Sequence, residues 1–406
     1  MELWDLFIEA LRAGIRGKKV NWEQVPTEVW QELTDLAWRQ HVLPVIVEAV
    51  YDCPAFNALP QEQQKEIKKA AIRISASQTV RTALLLQLYD GMAQAGLPCL
   101  VMKGAACRQT YPVPSLRPSS DEDLLVDPSI FEKCCHYFIQ CGMTQQGNVT
   151  AHECGFCSRD GLYIELHQSP FPPDAYEMGD SNGYFAAAAS RAMTVDVEGA
   201  GIRTLNGHDH LLYLLLHAFK HFIHSGFGIR QVCDIVLWAE TYGDSVDWQR
   251  LFAQCERVHC RKFAVSVFQI GQACLDFRAD RAGLPMALLE ESTPYEKLLS
   301  DILCGGVYGG EELSRKHSGS VTLAQVRSAR RGKRYSLLQT VFPPRKDLQE
   351  TYPYLAEHPA FLPAAWSQRL WKYGRELLRR SDSAAGDSVR LSQQRAALLK
   401  ELQIIE

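Results

Sequence analysis

The chain has 406 residues, 46% apolar and 22% charged, and its 43 Lys and Arg against 47 Asp and Glu leave a formal charge of −4. That excludes a disordered chain and a DNA-coating role, while the length allows two to four domains of roughly 100–200 residues. No apolar run approaches the ~18 residues of a membrane span, Met1 to Asp5 lacks the basic and apolar segments of a secretory signal, and thirteen Cys without such a signal fit reduced thiols; the expected compartment is the cytoplasm.

In chain order, the first hundred residues read as helix: Trp4 to Ile15, Pro26 to Val47, and Gln61 to Ala95 ending at Gly96. Apolar residues recur there at helical spacing, as in Leu84, Leu88 and Met92. The period then changes. Leu97 to Met102 and Leu124 to Val126 are short apolar runs between turn formers, which predicts buried strands. Pro128 to Cys141 predicts a helix closed by Gly142. Cys154 to Arg159 and Leu162 to Gln168 flank Asp160-Gly161, a strong hairpin signal. Helices follow at His208 to Ser225, Ile229 to Tyr242, Asp247 to His259 and Phe263 to Phe277, then an amphipathic helix around Trp366 to Arg380. Ser381 to Ser388 reads as a linker, and no internal repeat is visible.

One set of residues in the strand-rich stretch carries chemistry. Asp121 and Asp123 are two apart on a strand and share a face, while Leu124 and Val126 turn into the core. Two carboxylates on one face repel unless a cation sits between them. Glu165 has matching parity between Ile164 and Leu166, so a neighbouring strand supplies a third carboxylate beside His167. An oxygen-rich site of this kind suits Mg²⁺ and phosphoryl or nucleotidyl transfer. Gly104, after Lys103 and before Ala105, sits at a strand-to-helix turn where backbone can approach a triphosphate.

The order Lys103-Gly104, Arg117, Asp121 to Val126, Glu165 to His167, and His217 to Asp234 resembles the polymerase-beta-type nucleotidyltransferase superfamily, and within it a bacterial family of uncharacterised nucleotidyltransferases; Phe342 to Arg345 with Tyr352 and Tyr354 is similar too. The resemblance implies an α+β fold, with a mixed α/β core at residues 97–205 between helical regions at 1–96 and 206–406. It implies Asp121, Asp123 and Glu165 as catalytic and metal-holding residues, Glu165 being third ligand or base. Lys103, Gly104, Ala105 and Arg117 would meet the nucleotide. The cofactor would be Mg²⁺ or Mn²⁺, the donor an NTP such as ATP, and the acceptor an unidentified small molecule, peptide, protein or RNA, with pyrophosphate released. In two respects the chain departs from the pattern: Ala105 stands where a Ser is usual, and the interval from Gly104 to Asp121 is long.

Other residues keep two readings each. Arg117 grips pyrophosphate or pairs with an acid; Lys103 meets phosphate or solvent. His217, His221 and His224 lie on one helix face, as core or capping groups or, for His217 and His221, lining a cleft with His167, but without the Glu of a zinc-protease helix. Arg230 and Asp234, at i and i+4, form an intrahelical pair most simply, or line the cleft. Cys154 and Cys157 have redox or metal spacing yet sit in a hairpin, so buried strand thiols are expected. Gly305 to Gly310 follows a helix rather than a strand and reads as a break. The basic residues around Arg327 to Arg334 and Arg369 to Arg380 read as solvated faces, or as a patch for an anionic acceptor. Two alternatives to the transferase stand beside it: a catalytically silent nucleotide-binding module, and a toxin-like enzyme acting on tRNA.

Overall fold

A computed structural model of the chain describes residues 2–147, 150, 152–173, 175–224, 226–305, 322–323, 325–327, 342–349, 352–378 and 393–405. Residues 306–310, 330–334 and 379–388, which carry the glycine break, most of the first basic run and the linker, lie outside that set.

The front of the chain is helical: α1 (Leu3–Ile15), α2 (Thr27–Arg39), α3 (Leu43–Val50), a single turn α4 (Pro54–Asn57) and the 34-residue α5 (Gln61–Gln94). α1 buries Leu6, Phe7, Ala10, Leu11, Gly14 and Ile15 as one stripe. Gly14 is needed there, because a Cβ would fall 2.4 Å from the Val45 carbonyl oxygen of α3. The single helix expected over Pro26 to Val47 is instead α2 and α3. His41 takes φ +54 between them, and Pro44 fits the first turn of the new helix.

Seven strands follow: β1 (Cys99–Val101), β2 (Glu122–Val126), β3 (Thr144–Gln146), β4 (Glu153–Cys157), β5 (Tyr163–His167), β6 (Met193–Val197) and β7 (Ala200–Thr204). Their spatial order is β3-β4-β5-β2-β1-β7-β6. The β2–β5 and β1–β7 pairs are parallel and the rest antiparallel. β4 and β5 turn through Gly161 at φ +80, as the Asp160-Gly161 signal requires. The single turn α6 (Ala105–Arg108) lies between β1 and β2, and α7 (Phe131–Gln140) between β2 and β3, ending before Gly142 at φ +80.

The β6–β7 hairpin is absent from the sequence expectations. Its strands alternate buried and exposed residues, but Thr, Asp and Arg on the outer face dilute the apolar signal. It matters for the site, because β7 leads straight into α8 (Gly207–His224). α8 is buried almost all round. Behind it come α9 (Ile229–Tyr242), α10 (Trp248–Arg257), α11 (Arg261–Cys274) and α12 (Tyr295–Gly305). One contiguous apolar core runs from Leu6 in α1, through Leu124 and Leu166 of the sheet, to α8, α11 and Ile404. Leu348, Leu355 and Ala365 form a small separate cluster near the helix Leu362–Leu378.

Candidate active site

The site begins where β1 ends. Gly104 has φ +55 and ψ −109, and a Cβ there would lie 1.9 Å from Glu122 Oε2. Both the backbone region and the space demand glycine. Glu122 is 2% exposed. It accepts from the Ala105 N–H at 2.7 Å and from Arg108 Nη1 at 2.7 Å, and Arg108 Nη1 also donates to Ser119 Oγ at 3.1 Å. The phosphate grip expected at Ala105 therefore has no free N–H in this structure, since an internal carboxylate takes it. In the sequence Glu122 stands between the two aspartates. Its signal is parity: an acid on the opposite strand face has to find a buried partner.

On the other face of β2 the expected acids converge. Asp123 is the register partner of Glu165 across the parallel β2–β5 pair, and Asp121 immediately precedes β2. Lys103 Nζ lies 2.8 Å from Asp123 Oδ2 and 3.1 Å from Asp121 Oδ2. Burial alone would depress the Lys103 ammonium, but Asp121 and Asp123 outweigh it and hold its pKa well above the ordinary value. Burial likewise opposes the charge on both aspartates, and Lys103 holds both below the usual carboxylate range, Asp123 far below. Glu165 goes the other way: burial pushes its carboxyl up.

His167, at the end of β5, has Nε2 3.2 Å from Asp123 Oδ1 and 3.7 Å from Glu165 Oε2. Burial works against its charge, yet bonding to Asp123 and Glu165 raises its pKa to about 9. Asp123, Glu165 and His167 offer ligand atoms within 4.8 Å of one another, close enough to share one ion. From α8, the Tyr213 hydroxyl reaches Asp123 Oδ2 at 3.4 Å and His217 Nε2 stands 3.4 Å from Lys103 Nζ. His217 is held neutral by burial and by the Lys103 charge. Tyr213 carried no sequence signal that would separate it from its apolar neighbours on a buried helix.

Across a cavity of about 40 Å³, lined by Lys103, Arg117, Asp121, His217, His221, Arg230 and Asp234 among others, stands a wall from α8 and α9. Arg117 forks onto Asp234, with Nε to Oδ1 at 3.0 Å and Nη2 to Oδ2 at 2.6 Å, and bonds Ser119 Oγ. The Tyr111 hydroxyl donates to the same carboxylate at 2.8 Å. The intrahelical Arg230–Asp234 pair is thus replaced by one spanning 117 residues. Arg230 donates instead to the Pro118 carbonyl at 2.9 Å, and its buried Nε has no hydrogen-bond partner among the described residues. Of the five histidines of α8, the three expected on one face part company. His217 and His221 face the cavity, whereas His224 bonds Glu177 Oε1 at 2.9 Å. His41, far off in the chain, feels Arg230 and Asp121 here; burial first and Arg230 next bring its pKa to about 4. All thirteen cysteines are free thiols, Cys154 buried and Cys157 half-buried.

The sheet thus gathers three carboxylates at one end of the β2–β5 pair, beneath a basic and imidazole-bearing helical wall. The chain belongs to the uncharacterised nucleotidyltransferase family, whose profile matches residues 26–276. That membership supports nucleotidyl transfer in general and implies an NTP substrate. No curated protein matches the chain. An antigenic nucleotidyltransferase-like protein from Paracoccidioides brasiliensis is similar to 49% of this chain over 93% of its own, at 13% identity and a TM-score of 0.31. A likeness that distant bears on neither fold nor site. Among the described residues no helix is long and apolar enough to cross a membrane.

Proposed function

We propose that the chain transfers a nucleoside monophosphate from an NTP to an acceptor hydroxyl or phosphate and releases pyrophosphate. The observation that carries this reading is the convergence of Asp121, Asp123 and Glu165 at a place where a cation, the Lys103 ammonium, is already accommodated. The donors are hard carboxylate oxygens, which suit Mg²⁺ or Mn²⁺. Asp121, Asp123 and Glu165 would hold the metal, which when bound neutralises the triphosphate and stabilises charge on the attacking and leaving oxygens.

The chain's own groups do the rest. Lys103, displaced from the aspartates, finds its next acceptors in phosphate oxygens, and Arg230 offers an unused buried Nε to the same cavity. His167 donates from Nε2 to Asp123 and keeps that carboxylate oriented. Where Glu165 is not the third ligand, its carboxyl, raised by burial, takes the acceptor's proton. The acceptor oxygen bonds the α-phosphorus as the α–β anhydride bond breaks, and pyrophosphate leaves with the electron pair. Positioning and charge carry most of such a reaction.

The test is calorimetric titration with non-hydrolysable analogues of the four common NTPs, in Mg²⁺, in Mn²⁺ and in EDTA, on the wild type and on Asp121→Asn/Asp123→Asn. Metal-dependent binding of one nucleotide, lost in the double variant, is expected. One observation favours the silent module: Glu122 holds the Ala105 N–H and Lys103 fills the space between the aspartates. Tight nucleotide binding without pyrophosphate release in an acceptor screen would move the reading there.

A further inference from the structure

We propose a second metal site, for Zn²⁺ or a similar first-row transition ion, formed by His152, Glu153 and His167 at the open end of the β4–β5 hairpin. Glu153 is the register partner of His167, and His152 is the residue before it, so three donors meet at one edge of the sheet. Glu153 Oε2 lies 3.0 Å from His152 Nε2 and 3.4 Å from His167 Nδ1, and the three ligand atoms all fall within 4.8 Å of one another. A tetrahedral ion with bonds of about 2.0–2.1 Å sets its ligands about 3.3 Å apart. Two edges of that tetrahedron are already in place.

The second, independent observation is on the imidazoles. His152 is 7% exposed and His167 4%, and His152 Nε2 and His167 Nδ1 are both directed at the same Glu153 Oε2. One carboxylate oxygen shared by two buried ring nitrogens is held there by protons or by a metal ion. The opposite nitrogen of each ring is held by an oxygen from outside the trio: His152 Nδ1 by Thr150 Oγ1 at 3.0 Å, and His167 Nε2 by Asp123 Oδ1 at 3.2 Å. Metal-binding histidines have this arrangement, giving the second N–H to an oxygen so that the ring is oriented and the free lone pair faces the ion. Here a metal ion would replace the protons through which His152 Nε2 and His167 Nδ1 face the Glu153 carboxylate.

Two imidazoles and one carboxylate select a borderline-soft ion over Mg²⁺ and leave one position for water. Glu153, with its side chain 31% exposed, gives the ion a way in. Cys154 and Cys157, which carry the metal-like spacing of this hairpin, are not the ligands. The inference does not rest on nucleotidyl transfer, although an ion on His167 Nδ1 would fix the Nε2–H that orients Asp123.

The test uses the full chain, stripped with a chelator and then titrated with Zn²⁺ by calorimetry and with Co²⁺ by visible absorption. One equivalent is expected to bind, with Co²⁺ bands free of a thiolate charge-transfer feature and a rise in thermal midpoint. His152→Ala and the near-isosteric Glu153→Gln should each weaken binding at least tenfold, whereas Asp121→Asn should leave it unchanged. Far-UV circular dichroism of the metal-free variants checks their folding, and Glu153→Gln stands in if His152→Ala does not fold. Failure of the wild type to bind, a thiolate spectrum, or undiminished binding in the folded variants would overturn the proposal. Failure of the nucleotide reading would appear separately, in the Asp121→Asn/Asp123→Asn titration.

Discussion

The two faces of β2 use the same chemistry to opposite ends. On one face Glu122 accepts from Arg108 and from the Ala105 N–H, a carboxylate with its own guanidinium and no group in dispute. Nearby, Arg117 and Asp234 form a second closed pair, sealed by Tyr111. On the other face two aspartates share one ammonium, and a third carboxylate with a raised pKa stands beside them. A buried ion with a dedicated partner holds structure, whereas buried ions in excess of their partners are poised to take up another charge.

That contrast can be broken from either side. The largest effect is expected from Asp234→Ala, which leaves Arg117, 2% exposed, without a counter-ion; urea unfolding should show a loss of about 3–5 kcal/mol. On the active face, Asp123→Asn should lower turnover at least ~10²–10³-fold, read as labelled pyrophosphate release, while its urea midpoint moves less than that of Asp234→Ala. Equal losses of stability in the two variants would erase the distinction between closed and open sets. Tyr111→Phe removes a donor to a buried carboxylate and should cost about 1.5–3 kcal/mol, with nucleotide binding retained.

The smallest effect is the sharpest in sign. In the wild type, Lys103 holds Asp121 and Asp123 below their unfolded pKa, so their contribution is present above the ordinary carboxylate range and is lost as pH falls through it. In Lys103→Met the two carboxylates lose their shared ammonium, and His167 stays beside Asp123 alone. One pKa then rises above its unfolded value, and the variant should gain stability relative to wild type as pH is lowered from 7.5 to 5. A difference of about 1 kcal/mol, one unit of pKa, is expected in urea midpoints at the two pH values.

Much of this was legible in the residues themselves. Strand parity alone places Asp121, Asp123 and Glu165 together, because period two leaves few choices once Leu124 and Leu166 go into the core. Asp160-Gly161 fixes the hairpin that brings Glu165 alongside β2. What stayed hidden depends on contacts across long stretches of chain. The partner of Arg117, Asp234, lies 117 residues away on α9, and nothing local assigns that carboxylate to Arg117 rather than to Arg230, four positions earlier on the same helix. Glu122 is masked by the aspartates on either side, and the spacing around Gly104 suggests room for a phosphate where its first duty is to clear that carboxylate. The β6–β7 hairpin and the break at His41 escaped because a polar outer face and a single positive φ leave faint traces in apolar periodicity.

The parallel seam between β1 and β7 has a consequence in time. Thr204 Oγ1 donates to the Val101 carbonyl across 103 residues of intervening chain. On a ribosome adding roughly 5–20 residues each second, the free edge of β1 waits on the order of 5–20 s for its neighbour to be made. Until then it is an unpaired strand edge, a template for the wrong partner, and the carboxylates of β2 have no α8 above them. Folding of this molecule is therefore expected to be slow and sensitive to concentration during synthesis, with its reactive centre among the last parts to be closed.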